Sequence, residues 1–128
     1  MVMGWHVSVS RQTRRRHRPA ANNDPKGVRL AVWQARVDGL DWLQDLVGSG
    51  DAVHLADNGG YPVRYTVRAG AAIPRILAGP PLARTTWVAD PTDLIDPDRW
   101  HGATTIDRQA IEACQPDEWL QVEAFDES

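Results

Sequence analysis

The alternation of apolar and polar residues predicts strands near the start and at the end of the chain. Residues 5–10 place a tryptophan and two valines on one side and polar side chains on the other, as a half-buried strand does. Residues 28–36 are largely apolar on both sides, which favours a strand in the centre of a sheet. Residues 119–125 form the last predicted strand.

A hairpin is predicted in the middle of the chain. Residues 51–57 and 61–68 are separated by Asn58-Gly59-Gly60, residue types that readily adopt the positive φ angles of a tight hairpin turn. A further short strand is predicted at residues 84–88. The whole pattern therefore predicts a sheet of about five or six strands.

Three segments have the spacing of apolar residues that is typical of helices. The clearest helix is expected to begin at an N-cap on Asp38 and to end at the glycines within residues 48–50. A second, short helix is predicted at residues 71–78. A third is expected to begin at Thr104 and to run to Cys114.

The order of these elements predicts one α+β domain over residues 1–128, with a mixed, mostly antiparallel sheet and about three helices packed on one face. Residues 11–27 interrupt the pattern. They have no apolar period, four closely spaced arginines and two prolines. We therefore interpret residues 11–27 as a basic, flexible loop or arm.

The composition indicates where in the cell the protein is expected and from what kind of organism it comes. No apolar stretch approaches the roughly 20 residues that cross a bilayer, and the N-terminus lacks the apolar run of a signal peptide. A single cysteine argues against a disulfide-stabilised secreted domain. We therefore expect a cytoplasmic location, and we expect no membrane partner. Arginine almost replaces lysine, and alanine, glycine, proline and aspartate are abundant, which suggests a GC-rich bacterium or its phage.

The charge is distributed unevenly. The chain has a net charge of −3, yet residues 1–37 hold eight basic groups and one acidic group. Their most conspicuous feature is a run of arginines whose guanidinium groups suit phosphate, which makes this run the candidate nucleic-acid site. Its members are Arg14, Arg15, Arg16 and Arg18. The alternatives are a solvated loop, or an arm that folds back on the acidic C-terminal part of the chain.

Trp100 is the candidate contact with a protein partner. It lies between Arg99 and His101 in an acidic, proline-rich region, and Trp and Arg are enriched at interface hot spots. The alternative is that Trp100 packs inward and anchors its own loop. We expect the other tryptophans to fill the core or its edge.

The remaining chemical groups are assigned to structure. A cluster of four aspartates and a histidine could hold a divalent cation, but helix capping and turns explain the aspartates, so no metal is expected. This cluster comprises Asp90, Asp93, Asp96, Asp98 and His101. Cys114 is placed on the packed stripe of its helix. No catalytic residue and no cofactor are predicted.

These observations lead to three hypotheses about function. The first is a small, non-catalytic accessory protein that binds another protein. The second is a nucleic-acid-binding protein that uses the basic segment 11–18. The third is a small hydrolase or transferase whose site is assembled from residues distant in sequence. Its members would be His6, His54, Asp57, Tyr61, Arg64 and His101. The oligomeric state is left open.

Overall fold

The computed structural model describes residues 4–21, 24–55, 63–79, 81 and 104–126. Within these ranges the chain forms six strands and three helices. In chain order they are β1 (Trp5–Gln12), β2 (Lys26–Ala35), α1 (Asp41–Ser49), β3 (Ala52–His54), β4 (Val63–Arg68), α2 (Ala69–Leu77), β5 (Thr105–Ile106), α3 (Arg108–Glu112) and β6 (Trp119–Asp126). The strands form one antiparallel sheet in the order β3-β4-β6-β1-β2-β5. The predicted α+β class is confirmed.

The core lies between one face of this sheet and the three helices. The central strands β1 and β6 carry Val7, Val9 and Val122 on this face, and none of the three is exposed. Buried side chains of α1, α2 and α3 join the same cluster, and each such apolar side chain contributes about 1.5–3 kcal/mol when fully buried. We call this the helix face, and the opposite side of the sheet the second face.

Strand β2 is internal to the sheet, between β1 and β5, but it lies next to the edge strand β5 and not in the middle. It pairs with β1 along its length but with only two residues of β5 in the described ranges, and Val28 is 58% exposed. Its apolar character on both sides has a local cause. The register shifts between Val9 and Ser10, so the successive residues Leu30 and Ala31 are both buried.

The helix ends depart from the sequence pattern in two places. Helix α1 begins later than expected: Leu40 occupies its N-cap without a side-chain hydrogen bond, while Asp38 lies 3.5 Å from Arg36 in the preceding turn. Helix α3 also begins later than expected, because strand β5 occupies the residues that follow Thr104, where the helix was predicted to start. Its N-cap is Asp107, whose side chain accepts a hydrogen bond from the Ala110 amide. The glycine stop of α1 is confirmed, with Gly50 at a φ of 88°.

Several sequence predictions fall outside the described residues. These are the turn at residues 58–60 and the strand at 84–88. The two strands of the predicted hairpin are β3 and β4, which pair in antiparallel register. None of the helices within the described ranges combines the length and apolarity needed to span a bilayer.

Candidate functional site

The arginine run lies in the connection between β1 and β2. The irregular segment is shorter than the predicted 11–27, because Arg11 and Gln12 belong to β1 while Lys26 and Gly27 belong to β2. We call residues 13–18 of this connection the arginine loop. Whether it moves in solution stays a prediction, but its backbone contacts the rest of the fold at several points.

Gln12 holds the arginine loop against the start of β6. This side chain is 1% exposed, and its Nε2 donates to the carbonyl oxygens of Arg18 and Trp119, at 2.9 Å each. The Trp119 amide in turn donates to the Arg16 carbonyl at 2.6 Å. Buried amide hydrogen bonds of this kind are costly to leave unmade, so the loop backbone has a defined position at the end of the sheet.

The rest of the connection crosses the second face of the sheet. The Ala20 amide donates to Thr66 Oγ1 at 3.0 Å, and that hydroxyl donates to the Leu120 carbonyl at 2.9 Å. Farther on, Gln121 Nε2 donates to the carbonyls of Asp24 and Pro25, at 3.3 Å each. The connection thereby buries polar side chains of β4 and β6 that an alternating pattern would leave in water.

The four predicted arginines all lie on the solvent side of this loop. Each is exposed, and with Thr13 and His17 they line a concavity of about 470 Å³. Arg15 has a positive φ of 54°, which turns the chain at the centre of the run. The structure therefore brings together the residues that the sequence marked as a candidate nucleic-acid site.

Carboxylates partner some of the basic side chains around this loop. Arg15 Nη2 lies 3.0 Å from Asp24, and His17 Nδ1 lies 3.0 Å from Asp117. The pKa of Asp24 is lowered by a hydrogen bond from the Ala21 amide and by the charge of Arg15. Within the described ranges, a carboxylate neutralises Arg15, whereas Arg14 and Arg18 form no ion pair.

A buried ion pair underlies the loop. Arg11 donates from Nε and Nη2 to the two carboxylate oxygens of Glu118, at 2.8 Å each, and the Glu118 side chain is only 2% exposed. The hydrogen bonds from Arg11 hold the pKa of Glu118 below its usual range, and those same bonds raise the pKa of Arg11. This pair joins the end of β1 to the segment before β6.

The chemistry that the arginine loop offers is anion binding. A guanidinium group presents N–H donors in a planar fork that matches two phosphate oxygens. The donors here stand on a backbone whose position is set by hydrogen bonds to the sheet. Among the described residues, no group of three or more histidine, cysteine, aspartate or glutamate side chains could hold a metal ion.

The other candidate residues are either outside the described residues or dispersed. The predicted partner contact at residues 99–101 and the aspartate cluster at residues 90–98 lie outside the described ranges. Of the proposed dispersed catalytic set, His54 stacks on Tyr65 at the helix face, while Arg64 pairs with Glu123 on the second face. His6 contacts Phe125 and lies on the second face. The described members thus lie on opposite sides of the sheet.

An apolar groove of about 390 Å³ lies between α2 and the segment around α3. Ile73 and Leu77 line one side, and Ile111, Cys114 and Pro116 line the other. Burial raises the pKa of the Cys114 thiol, which favours the protonated, unreactive form and agrees with its assignment to packing.

Comparison with known proteins gives no further guide to this site. No family model, no curated protein and no solved structure matches the chain.

Proposed function

We propose that this chain is a small binding protein whose arginine loop holds the phosphate backbone of a nucleic acid. One observation carries the proposal: four exposed arginines stand on a single short loop whose backbone is hydrogen-bonded to the sheet. The sequence suggested this function as the alternative to a protein-binding role. The protein-binding hypothesis stays a prediction, since residues 99–101 lie outside the described ranges.

A loop whose backbone is hydrogen-bonded to the sheet favours binding, because less conformational freedom is lost when the ligand arrives. Ordering the backbone of one residue costs about 1–2 kcal/mol. A disordered arm of the same sequence would meet this cost on binding, whereas the anchored loop has already met it on folding. The contacts of Gln12 and Trp119 are therefore part of the binding site although neither side chain would touch the ligand.

The negative net charge of the protein restricts the attraction for a nucleic acid to the arginine loop. At a net charge of −3 the protein as a whole repels a polyanion, so nonspecific attraction of the entire surface does not supply binding. Exposed charges farther away than about 8 Å are largely screened at physiological salt. Attraction must then come from the local concentration of arginines in the loop.

The test is a titration of a short fluorescein-labelled DNA duplex, and of its single strand, followed by fluorescence anisotropy at several salt concentrations. We expect binding at low salt that weakens steeply as salt rises, because phosphate contacts release counterions. Replacing all four loop arginines by glutamine (R14Q/R15Q/R16Q/R18Q) should abolish it.

The matched control removes four exposed arginines elsewhere, in the variant R29Q/R36Q/R75Q/R108Q. Both variants carry the same net charge, so only the position of the lost charges differs. We expect the control to retain most of the affinity. Absence of binding by the natural protein at low salt, or equal loss in both variants, would overturn the proposal.

A further inference from the structure

We infer that the four loop arginines divide into two pairs: Arg14 and Arg18 contact the phosphates, while Arg15 and Arg16 hold the shape of the loop. This inference rests on the proposed function and assigns roles within the same site. All four residues look equivalent in the sequence and all four are exposed. Their hydrogen bonds differ.

Arg15 is committed to its own connection. Its Nη2 lies 3.0 Å from Asp24 Oδ1, and the other carboxylate oxygen of Asp24 accepts the Ala21 amide at 2.9 Å. Its φ of 54° costs a non-glycine residue about 1–2 kcal/mol, which the surrounding contacts must offset. The carboxylate of Asp24 neutralises the charge of this guanidinium, so Arg15 attracts a phosphate less strongly than an arginine without an acidic partner does. Arg15 is therefore a positioning residue.

Arg16 is exposed, but it forms hydrogen bonds with the ends of two strands. Its Nε donates to the Gln12 carbonyl at 3.0 Å, and its own carbonyl accepts the Trp119 amide. It also lies close enough to Glu118 for its charge to help lower the pKa of that carboxyl group. The Arg16 carbonyl and Nε are thus both hydrogen-bonded to strand residues, and we assign Arg16 the second positioning role.

Arg14 and Arg18 differ from these two residues because their guanidinium donors have no partner among the described residues. The Arg18 carbonyl accepts a hydrogen bond from Gln12, and the Arg18 amide donates to the Arg15 carbonyl at 3.1 Å. Arg14 acts on Asp24 through its charge. Neither guanidinium forms a hydrogen bond or an ion pair with another residue in the part of the chain that the structure describes.

The two roles predict different salt dependences. Each phosphate contact with B-DNA contributes about −0.9 to the slope of log Kobs against log salt. Two contacts give a slope of about −1.8, or about a 12-fold loss of affinity between about 50 mM and about 200 mM salt. R14Q or R18Q should each halve the slope to about −0.9. R15Q and R16Q should lower affinity while leaving the slope near −1.8.

A variant that gains affinity tests the role of Arg15 most directly. Asp24→Asn keeps an oxygen for the Ala21 amide but removes the charge that neutralises Arg15. Arg15 then becomes available to a third phosphate, so the slope should steepen by about 0.9 and affinity at low salt should rise. The double variant R15Q/D24N should lose this gain.

The experiment measures anisotropy of the labelled duplex over the salt series for R14Q, R15Q, R16Q, R18Q, D24N and R15Q/D24N. R75Q, on α2, serves as the matched single-charge control, and circular dichroism checks the fold. Equal flattening of the slope by all four glutamine variants would overturn the division while leaving the proposed function standing. If the natural protein does not bind, both the division and the proposed function are wrong. An unchanged slope in D24N would also contradict the role given to Arg15.

Discussion

Replacing Gln12 by alanine should release the arginine loop from the sheet. Gln12 is 1% exposed, and its side chain bridges the loop to β6 through the carbonyls of Arg18 and Trp119. Alanine can donate to neither carbonyl, so two acceptors at the edge of the core lose their partner. The loop would then depend on the Trp119 amide and on the contacts of the later part of the connection.

The expected size follows from these two bonds. Each 2.9 Å hydrogen bond from a buried amide contributes about 1 kcal/mol net, so Q12A should lower the free energy of local opening by about 2 kcal/mol. That value corresponds to about a 30-fold larger open population. A longer contact from Gln12 Nε2 to the Arg15 carbonyl, at 3.5 Å, adds little.

Limited trypsin digestion measures this opening directly, because the loop itself carries the cleavage sites. Trypsin can cut after Arg14, Arg15 and Arg16, whereas the bond after Arg18 precedes a proline and is a poor substrate. When opening and closing are fast, the cleavage rate follows the open population, so Q12A should be cut about 30-fold faster in the loop. Cleavage after Arg75 in α2 reports opening of the body in the same sample.

The control is Q109A, which removes an exposed glutamine of α3 and should leave loop cleavage unchanged. The reasoning is refuted if Q12A is cut in the loop at the natural rate. It is also refuted if cleavage after Arg75 rises in proportion, since the effect would then be loss of the whole fold.

Three further substitutions test the packing around the site by urea unfolding. Removing Glu118's charge (E118Q) should cost about 2–3 kcal/mol at neutral pH, because it leaves the mostly buried charge of Arg11 uncompensated. The pKa of Glu118 is lowered in the fold, so its contribution exists above its ordinary pKa and is lost as pH falls through the folded value; the deficit of E118Q should shrink below about pH 4. T66V should cost about 1–3 kcal/mol, since a fully buried hydroxyl loses two hydrogen bonds. G39A should cost about 1–3 kcal/mol, because a Cβ at Gly39 would lie 2.4 Å from the Cβ of Ala35.

A different result would contradict each of these three predictions. A pH-independent deficit in E118Q would mean that the ion pair does not set the pKa of this carboxyl group. T66V should also speed trypsin cleavage of the connection, and equal rates would separate Thr66 from the loop. The control for G39A is G48A: nothing lies within 4 Å of a Cβ at Gly48, so alanine in α1 should stabilise by about 0.5–1 kcal/mol. Equal destabilisation by both would contradict the packing argument.

Much of the fold could be predicted from local patterns. The alternation in β1 and the apolar stripe of α1 both follow from side chains that meet one core, and the structure has them at the expected places. The predicted strand at β2 was also found inside the sheet, but next to its edge strand and not in the middle. A register shift of one residue buried Leu30 beside Ala31, and a composition pattern does not show such a shift.

The setting of the candidate site could be predicted only in part. The arginines were evident, but the anchors of their loop were not. Thr66 and Gln121 are polar residues of predicted strands, and each is buried by the β1–β2 connection, which is far away in sequence. Gln12 was assigned to the predicted arm, but it ends β1 and its side chain donates to the distant Trp119 carbonyl. Contacts between a side chain and a distant backbone leave no periodic signal, so the sequence did not show where this connection is hydrogen-bonded to the sheet.

The proposed function requires that the arginine loop is the surface that contacts the nucleic acid. An NMR titration of ¹⁵N-labelled protein with the unlabelled DNA duplex locates that surface residue by residue. We expect the largest shift changes at the amides of residues 13–18, with α2 and the groove beside it unaffected. Shift changes centred on α2 and α3, with the loop amides unmoved, would contradict the account.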